Sequence, residues 1–255
     1  MTAYRTNISF LFPLILCIIW ELCSRVGLLP QTIIPSPTRI LIALYELTRD
    51  GLPRGNTLLM HALYSLMRVA CGFLLAVVIG VPLGILCGWS KTLRDMLTPI
   101  IETLRPIPPL AWIPLAILWF GIGLRSAAFI IFLGCLFPIL LSTVSGVLSV
   151  DAILINAART LGADDRQIFL KVLLPGATPA IYTGLRIGLG IGWMTLVAAE
   201  FTGVKSGYGL GYMIMTARDI QRPDMVLAGM VIIGLTGFLL DCGIRLMEAR
   251  ALRWR

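Results

Sequence analysis

The chain has 255 residues, of which 58% are hydrophobic and only 13% charged, about half the charged share of a soluble domain. That balance excludes a soluble enzyme and places the chain in a membrane. The formal charge of +8 then reads as loop and lipid-headgroup contact, not as a nucleic-acid surface.

Apolar runs in chain order predict six membrane-crossing helices, each near the roughly 20 residues a bilayer requires. The first covers 6–20. Arg5 ahead of Ile8–Trp20 imitates a secretory signal, but no small-x-small cleavage site follows and Glu21–Arg25 shows no lipoprotein box, so the run is expected to stay. The segment 28–60 is expected outside the membrane. Within it, PSPTRILIALYELTRDG predicts an interfacial helix capped at Ser36–Pro37. Arg39, Ala43, Glu46 and Asp50 fall on one face, and Ile40, Leu41, Leu44 and Leu47 largely on the other.

The charge-free run 69–90 carries Gly72, Ala76, Gly80, Gly84 and Gly88 at intervals of four, a groove that lets another helix approach closely. Gly184, Gly188 and Gly192 repeat the device in the run 179–200, and both stripes are assigned to helix packing. The third run, RPIPPLAWIPLAILWFGIG at 105–123, holds Pro106, Pro108, Pro109 and Pro114. Its disturbed backbone needs protein or a cavity around it, not lipid. Runs 126–150 and 225–240 complete the six. Between the last two spans, FTGVKSGYGLGYMIMTARDIQRPD at 201–224 reads as a loop followed by a short surface helix, and its glycines do not fit GxGxxG.

No GxxxxGK[ST] motif occurs, the carboxylates do not cluster, and no nucleophile–base pair is visible. The six cysteines form no CxxC and His61 is the single histidine, so a zinc site is not expected. Nothing marks an enzyme. With the N-terminus in the cytoplasm, basic residues divide ten inside against eight outside, and the tail EARALRWR points inward.

One polar stretch interrupts the apolar runs: NAARTLGADDRQIFLKVLLP, Asn156 to Pro175. Asp151 is placed to cap a first helix over Ile153–Leu161 that closes on Gly162. Asp164 caps a second, with Gln167 completing a capping box. Ile168, Phe169, Val172 and Leu173 give the second helix an apolar face, and Pro175 is expected to end it. Ala157 and Ala158 leave a flat surface. From the residues alone, the stretch is either a docking surface for another protein or a loop that simply folds well.

The stretch resembles the EAA loop of ABC importer permeases at Ala157, Ala158, Gly162, Val172, Leu174 and Pro175, and departs from it at Asn156, where that family carries Glu. The resemblance covers nearly the whole chain. RPIPPLAWIPLAILWFGIG and TGLRIGLGIGWMTLVAAE are similar to the nitrate/sulfonate/taurine branch, most of all to taurine-type permeases. It implies an all-α, type I ABC importer permease fold with six transmembrane helices in one domain, 1–255, and a cytoplasmic coupling loop at 150–175. Asn156, Ala157, Ala158, Leu161, Gly162, Ala163 and Asp164 would then meet the ATPase.

It further implies a second permease copy, two cytoplasmic ATPase subunits that bind ATP and Mg, and an external solute-binding protein. This chain itself would bind no cofactor. The setting would be a bacterial cytoplasmic membrane with both termini inside. The expected solute is taurine or another alkanesulfonate, with nitrate or bicarbonate, or an ion-coupled secondary transporter, as alternatives. Arg105 and Arg186, set within spans, are expected to face the bundle interior and, with Trp193 and Glu200, to line the path. Their alternative is pairing with Glu102 or with carbonyls freed by the prolines.

Overall fold

The computed structural model describes residues 2–201 and 207–252, with side chains from residue 11 onward in those ranges. Every regular element among the described residues is helical. In chain order these are α1 (Thr2–Arg25), α2 (Pro37–Arg49), α3 (Leu58–Trp89), α4 (Lys91–Leu104), α5 (Ile113–Phe120), α6 (Leu124–Leu148), α7 (Ala152–Thr160), α8 (Asp165–Ile168), α9 (Leu174–Phe201), α10 (Leu210–Asp219) and α11 (Pro223–Ala251). A tight turn over Pro109–Trp112 precedes α5, and a wide turn over Phe169–Leu173 joins α8 to α9. The chain divides into two compact units, Met1–Tyr64 with Gly207–Leu235, and Ser65–Ser206 with Thr236–Arg255.

In the first unit, α2 starts where Ser36 accepts the Arg39 N–H. Glu21 on α1 holds that start by accepting the Thr38 N–H at 3.0 Å and the Thr38 hydroxyl at 2.8 Å. The buried stripe of α2 is Ile40, Ala43 and Leu47, while Leu41 is 65% exposed. The expected faces are therefore rotated. Ala43 is small enough to sit at the closest contact, and Leu41 is left on the outer surface. Helix α10 is packed, not superficial: Leu210, Met213 and Ala217 are fully buried. His61 pins the approach to it, its Nδ1 accepting the Gly209 N–H at 3.0 Å. Arg222 binds Asp224 at 2.7 Å and Glu46 at 2.8 Å, and these two hydrogen-bonded carboxylates raise its pKa further above the arginine range.

The second unit is built around a slab of three helices, α3, α6 and α9, each in contact with the other two. A β-carbon on Gly84 of α3 would lie 2.7 Å from the Thr143 Cβ of α6. On a neighbouring, overlapping face of α6, a β-carbon on Gly184 of α9 would lie 2.6 Å from the Ser142 Cβ. The helices come this close at both contacts because the glycines carry no side chain. The pairs also fix direction. Gly72 and Gly80 meet Ile131 and Ile139, so α3 and α6 run parallel, whereas Gly184, Gly188 and Gly192 meet Ser142, Ile139 and Cys135, so α9 runs antiparallel.

Among the described residues, four helices are long and apolar enough to cross a membrane: Leu58–Trp89, Leu124–Leu148, the continuous Asp165–Phe201 and Pro223–Ala251. The expected third span is not one helix. α5 has 8 residues, about 12 Å of helix against a hydrocarbon core of ~30 Å. It joins α4 in a pair bent by 81°, which makes a fifth crossing if the two count as one. The prolines explain the break: Pro106, Pro108 and Pro109 cannot donate to a helical ladder. The run 6–20 lies on α1, and its residues up to 10 fall outside the described side chains. Pro175, expected to end a helix, sits instead in the first turn of α9. Leu174 donates to the Phe169 carbonyl, five residues back, and this wider turn carries the helix past a residue that has no N–H of its own.

Candidate functional site

Helix α7 begins where Asp151 accepts the Ile153 N–H at 2.8 Å. It closes with two bonds, from Gly162 to the Arg159 carbonyl at 2.9 Å and from Ala163 to the Ala158 carbonyl at 3.0 Å. That closure requires a left-handed residue, and Gly162 supplies it with φ +83°. Asp164 then accepts the Gln167 N–H at 2.7 Å, and the Gln167 side chain accepts the Asp164 N–H at 3.3 Å. Both turns are therefore held by hydrogen bonds local to the loop. Asn156, Ala157 and Asp164 are exposed, and Ala158 and Ala163 half-buried. Leu161 is 88% exposed and Ile153 72%. Two large apolar side chains thus stand exposed on the polar loop. The inner side is anchored, with Ile168 buried and Phe169 edge-on to Trp89 at 5.7 Å.

A cavity of about 420 Å³ is lined by Arg105, Pro109, Phe137, Leu141, Ser142 and Ile191, among others. Arg105 ends α4, donating its N–H to the Ile101 carbonyl, instead of opening the next helix. Among the described residues no ion pair includes it. The site thus offers one positive charge and the Ser142 hydroxyl beside mainly apolar walls.

The other three expected path residues lie elsewhere. Arg186 binds Asp241 at 2.6 Å, and Arg245 binds the same carboxylate at 2.8 Å. Its partner is therefore Asp241, not Glu102 or a freed carbonyl. Trp193 is 8% exposed and lies under Gly237, where a β-carbon would come within 2.8 Å of its Nε1. It borders a smaller cleft of about 160 Å³ with Arg186. Glu200 is fully buried, 2.7 Å from Arg68, and accepts Ser65 Oγ–H at 2.8 Å. Breaking one partner from such a pair costs roughly 3–5 kcal/mol.

Sequence reading passed over Arg68, which stands one residue ahead of a charge-free run and so counted as its flank. A signal existed. In the six-span topology, the starts of runs 69–90 and the end of 179–200 lie on one side of the membrane, which brings Arg68 and Glu200 to the same level. Among the described residues, no three His, Cys, Asp or Glu side chains converge to hold a metal ion.

The family of binding-protein-dependent transport system inner membrane components matches residues 80–253. The chain belongs to that family. It is 46% identical to a putative ABC transporter permease of Methanocaldococcus jannaschii, over 95% of this chain and 90% of that one. It is 42% identical to the taurine transport system permease of Escherichia coli, over 94% of this chain and 86% of that one. The nitrate import permease of a Synechocystis strain is 37% identical, over 92% and 85% respectively. Among solved structures, an inward-facing MetNI methionine ABC transporter matches 74% of this chain and 94% of its own, with TM-score 0.60 and 25% identity. The protein is thus a multi-pass ABC importer permease that couples translocation to an ATPase partner, and hydrolysis belongs to that separate subunit. Family membership sets aside the ion-coupled secondary transporter.

Proposed function

We propose that this permease imports a small anionic or zwitterionic solute, taurine or another alkanesulfonate, across a bacterial cytoplasmic membrane. It works as a pair with a second copy, and two cytoplasmic ATPase subunits dock on the loop 150–175. An external solute-binding protein delivers the cargo, and both termini lie in the cytoplasm with 28–60 outside. The observation that carries the docking assignment is the loop itself: a doubly capped turn at Gly162–Asp164 holding Leu161 and Ile153 out into solvent.

Helix direction supports a reading of six spans. Because α3 and α6 run parallel, the chain has to return across the slab between them, and the bent pair α4–α5 is the segment available to do so. Helix α1, 24 residues long, supplies the remaining crossing ahead of α2. The same parity puts Trp89, Phe169 and the polar loop at one end of the slab and Glu200 at the other.

The cavity favours a solute with an apolar part. Its volume of about 420 Å³ and its Phe137, Leu141 and Ile191 walls leave much apolar surface uncovered by a bare planar anion. Arg105 matches a sulfonate or carboxylate headgroup by charge and by its planar donor fork. Nitrate is the second reading, favoured by the nitrate import relative. Purified permease, ATPase and binding protein in proteoliposomes, offered taurine, longer alkanesulfonates, nitrate and bicarbonate in turn, decide between them. ATP-dependent uptake of nitrate or bicarbonate without uptake of any sulfonate refutes the first reading.

A further inference from the structure

The buried pair of Arg68 and Glu200 lies apart from both the polar loop and the cavity, and nothing above gives it a task. Its place in the slab does. Helix α9 is continuous with the loop, running unbroken from Asp165 to Phe201 over 37 residues, roughly 55 Å at about 1.5 Å per residue. Along most of that length α9 meets α6 through glycines, and α6 meets α3 through glycines. At these seams α6 side chains such as Ile139, Thr143 and Ser142 seat against the glycines, so the contact there is close van der Waals packing. At the end of α9 remote from the loop the contact changes in kind. Glu200 there accepts from Arg68 at 2.7 Å and from Ser65 at 2.8 and 3.0 Å, bonds that are directional and shielded from water. Charge pairs of this sort are costly to part once buried.

We infer that Arg68, Ser65 and Glu200 are positioning residues that clamp the far end of α9 to α3 throughout the transport cycle. A push received at the loop then crosses the membrane as a joint displacement of α9 and α3, because directional bonds tie the two helices to each other directly and not only through their packing on α6. This rests on the loop 150–175 being the ATPase contact.

The test uses the whole permease–ATPase complex in lipid nanodiscs, with spin labels on Asp165→Cys or Phe201→Cys in each permease copy. Distances between the two copies are measured with and without a non-hydrolysable ATP analogue. With the clamp intact, nucleotide shifts both positions. Glu200→Gln keeps the shift at 165 and reduces the one at 201 by roughly twofold or more, the lower end of coupling effects along packed networks. Ser65→Ala, which leaves the ion pair in place, changes the 201 shift in the same direction by less. Arg68→Lys, which preserves the charge, retains most of it. A wild-type shift at 201 in Glu200→Gln, or in Ser65→Ala should the glutamine variant not assemble, overturns the clamp alone. No nucleotide-induced shift at 165 in the otherwise wild-type complex overturns the loop assignment and the clamp with it.

Discussion

Gly84 faces Thr143 so closely that a β-carbon on the glycine would lie 2.7 Å from the threonine Cβ and 2.8 Å from the Leu140 carbonyl oxygen. One of those neighbours is backbone, so it cannot swing aside. Gly84→Val is therefore expected to force α3 off α6 and lower stability by about 1–3 kcal/mol, the usual cost of overpacking. Gly190, on α9, has nothing within 4 Å of its β-position. Gly190→Ala is expected to hold or raise stability by roughly 0.5 kcal/mol, because alanine loses less backbone freedom on folding. Thermal unfolding of the detergent-purified permease separates the two, and equal melting temperatures would refute the packing account.

At Gly162 the constraint is the backbone alone. Its φ of +83° admits few side chains, yet no atom lies within 4 Å of its β-position. Gly162→Val should strain the loop by about 1–2 kcal/mol without touching the slab. The variant is expected to reach the membrane in normal amount and to lose the ATPase on co-purification. Gly162→Asn, which tolerates left-handed geometry better, should keep more of it. Retention of the ATPase by both at wild-type yield would show that the loop's shape is not what the partner reads.

The loop was legible in the sequence because its determinants are local. Asp151, Gly162, Asp164 and Gln167 each act within five residues of themselves, so residue type and spacing nearly fix their hydrogen bonds. The glycine stripes were legible for a related reason, since a four-residue period can only describe one face of a helix. The continuation past Pro175 was not, because it depends on a widened turn that opens to accept a missing donor. Neither was the Arg68–Glu200 pair, whose partners are 132 residues apart, nor the Asp241 partner of Arg186, which lies 55 residues away. Likewise, the rotation of α2 about its axis is set by which neighbours are close, and alternation of residue types alone placed Ala43 on the wrong side.

Topology gives a prediction independent of transport. In a cysteine-free background, Asp165→Cys should react with a membrane-impermeant thiol reagent only from the cytoplasmic side, and Arg218→Cys only from outside. Both side chains are largely exposed, at 80% and 63%, so failure to label cannot be put down to burial. Labelling from the reverse sides would overturn the six-span arrangement and the docking assignment together.

The two arginines within spans are expected to part ways. Arg186 is held by Asp241, which also binds Arg245, so its charge is already compensated. Substituting glutamine there removes one of two cations from a shared carboxylate, and Arg245 remains to balance it. Arg186→Gln should accordingly transport at close to the wild-type rate. Arg105 borders the cavity of about 420 Å³ without a carboxylate partner among the described residues. A positive charge at the edge of apolar walls gives an anionic headgroup a point of attraction while the rest of the solute meets apolar surface. Arg105→Gln should therefore lower ATP-driven uptake at least tenfold, about 1.4 kcal/mol of lost interaction, while assembly and ATPase activity without substrate stay unchanged. Arg105→Lys should recover part of the rate, because it restores the charge but not the planar fork. Uptake by proteoliposomes containing each variant measures the contrast. Equal rates for Arg105→Gln and the unaltered permease would remove this cavity from the path, and a large loss in Arg186→Gln would move the path to the Asp241 side of α9.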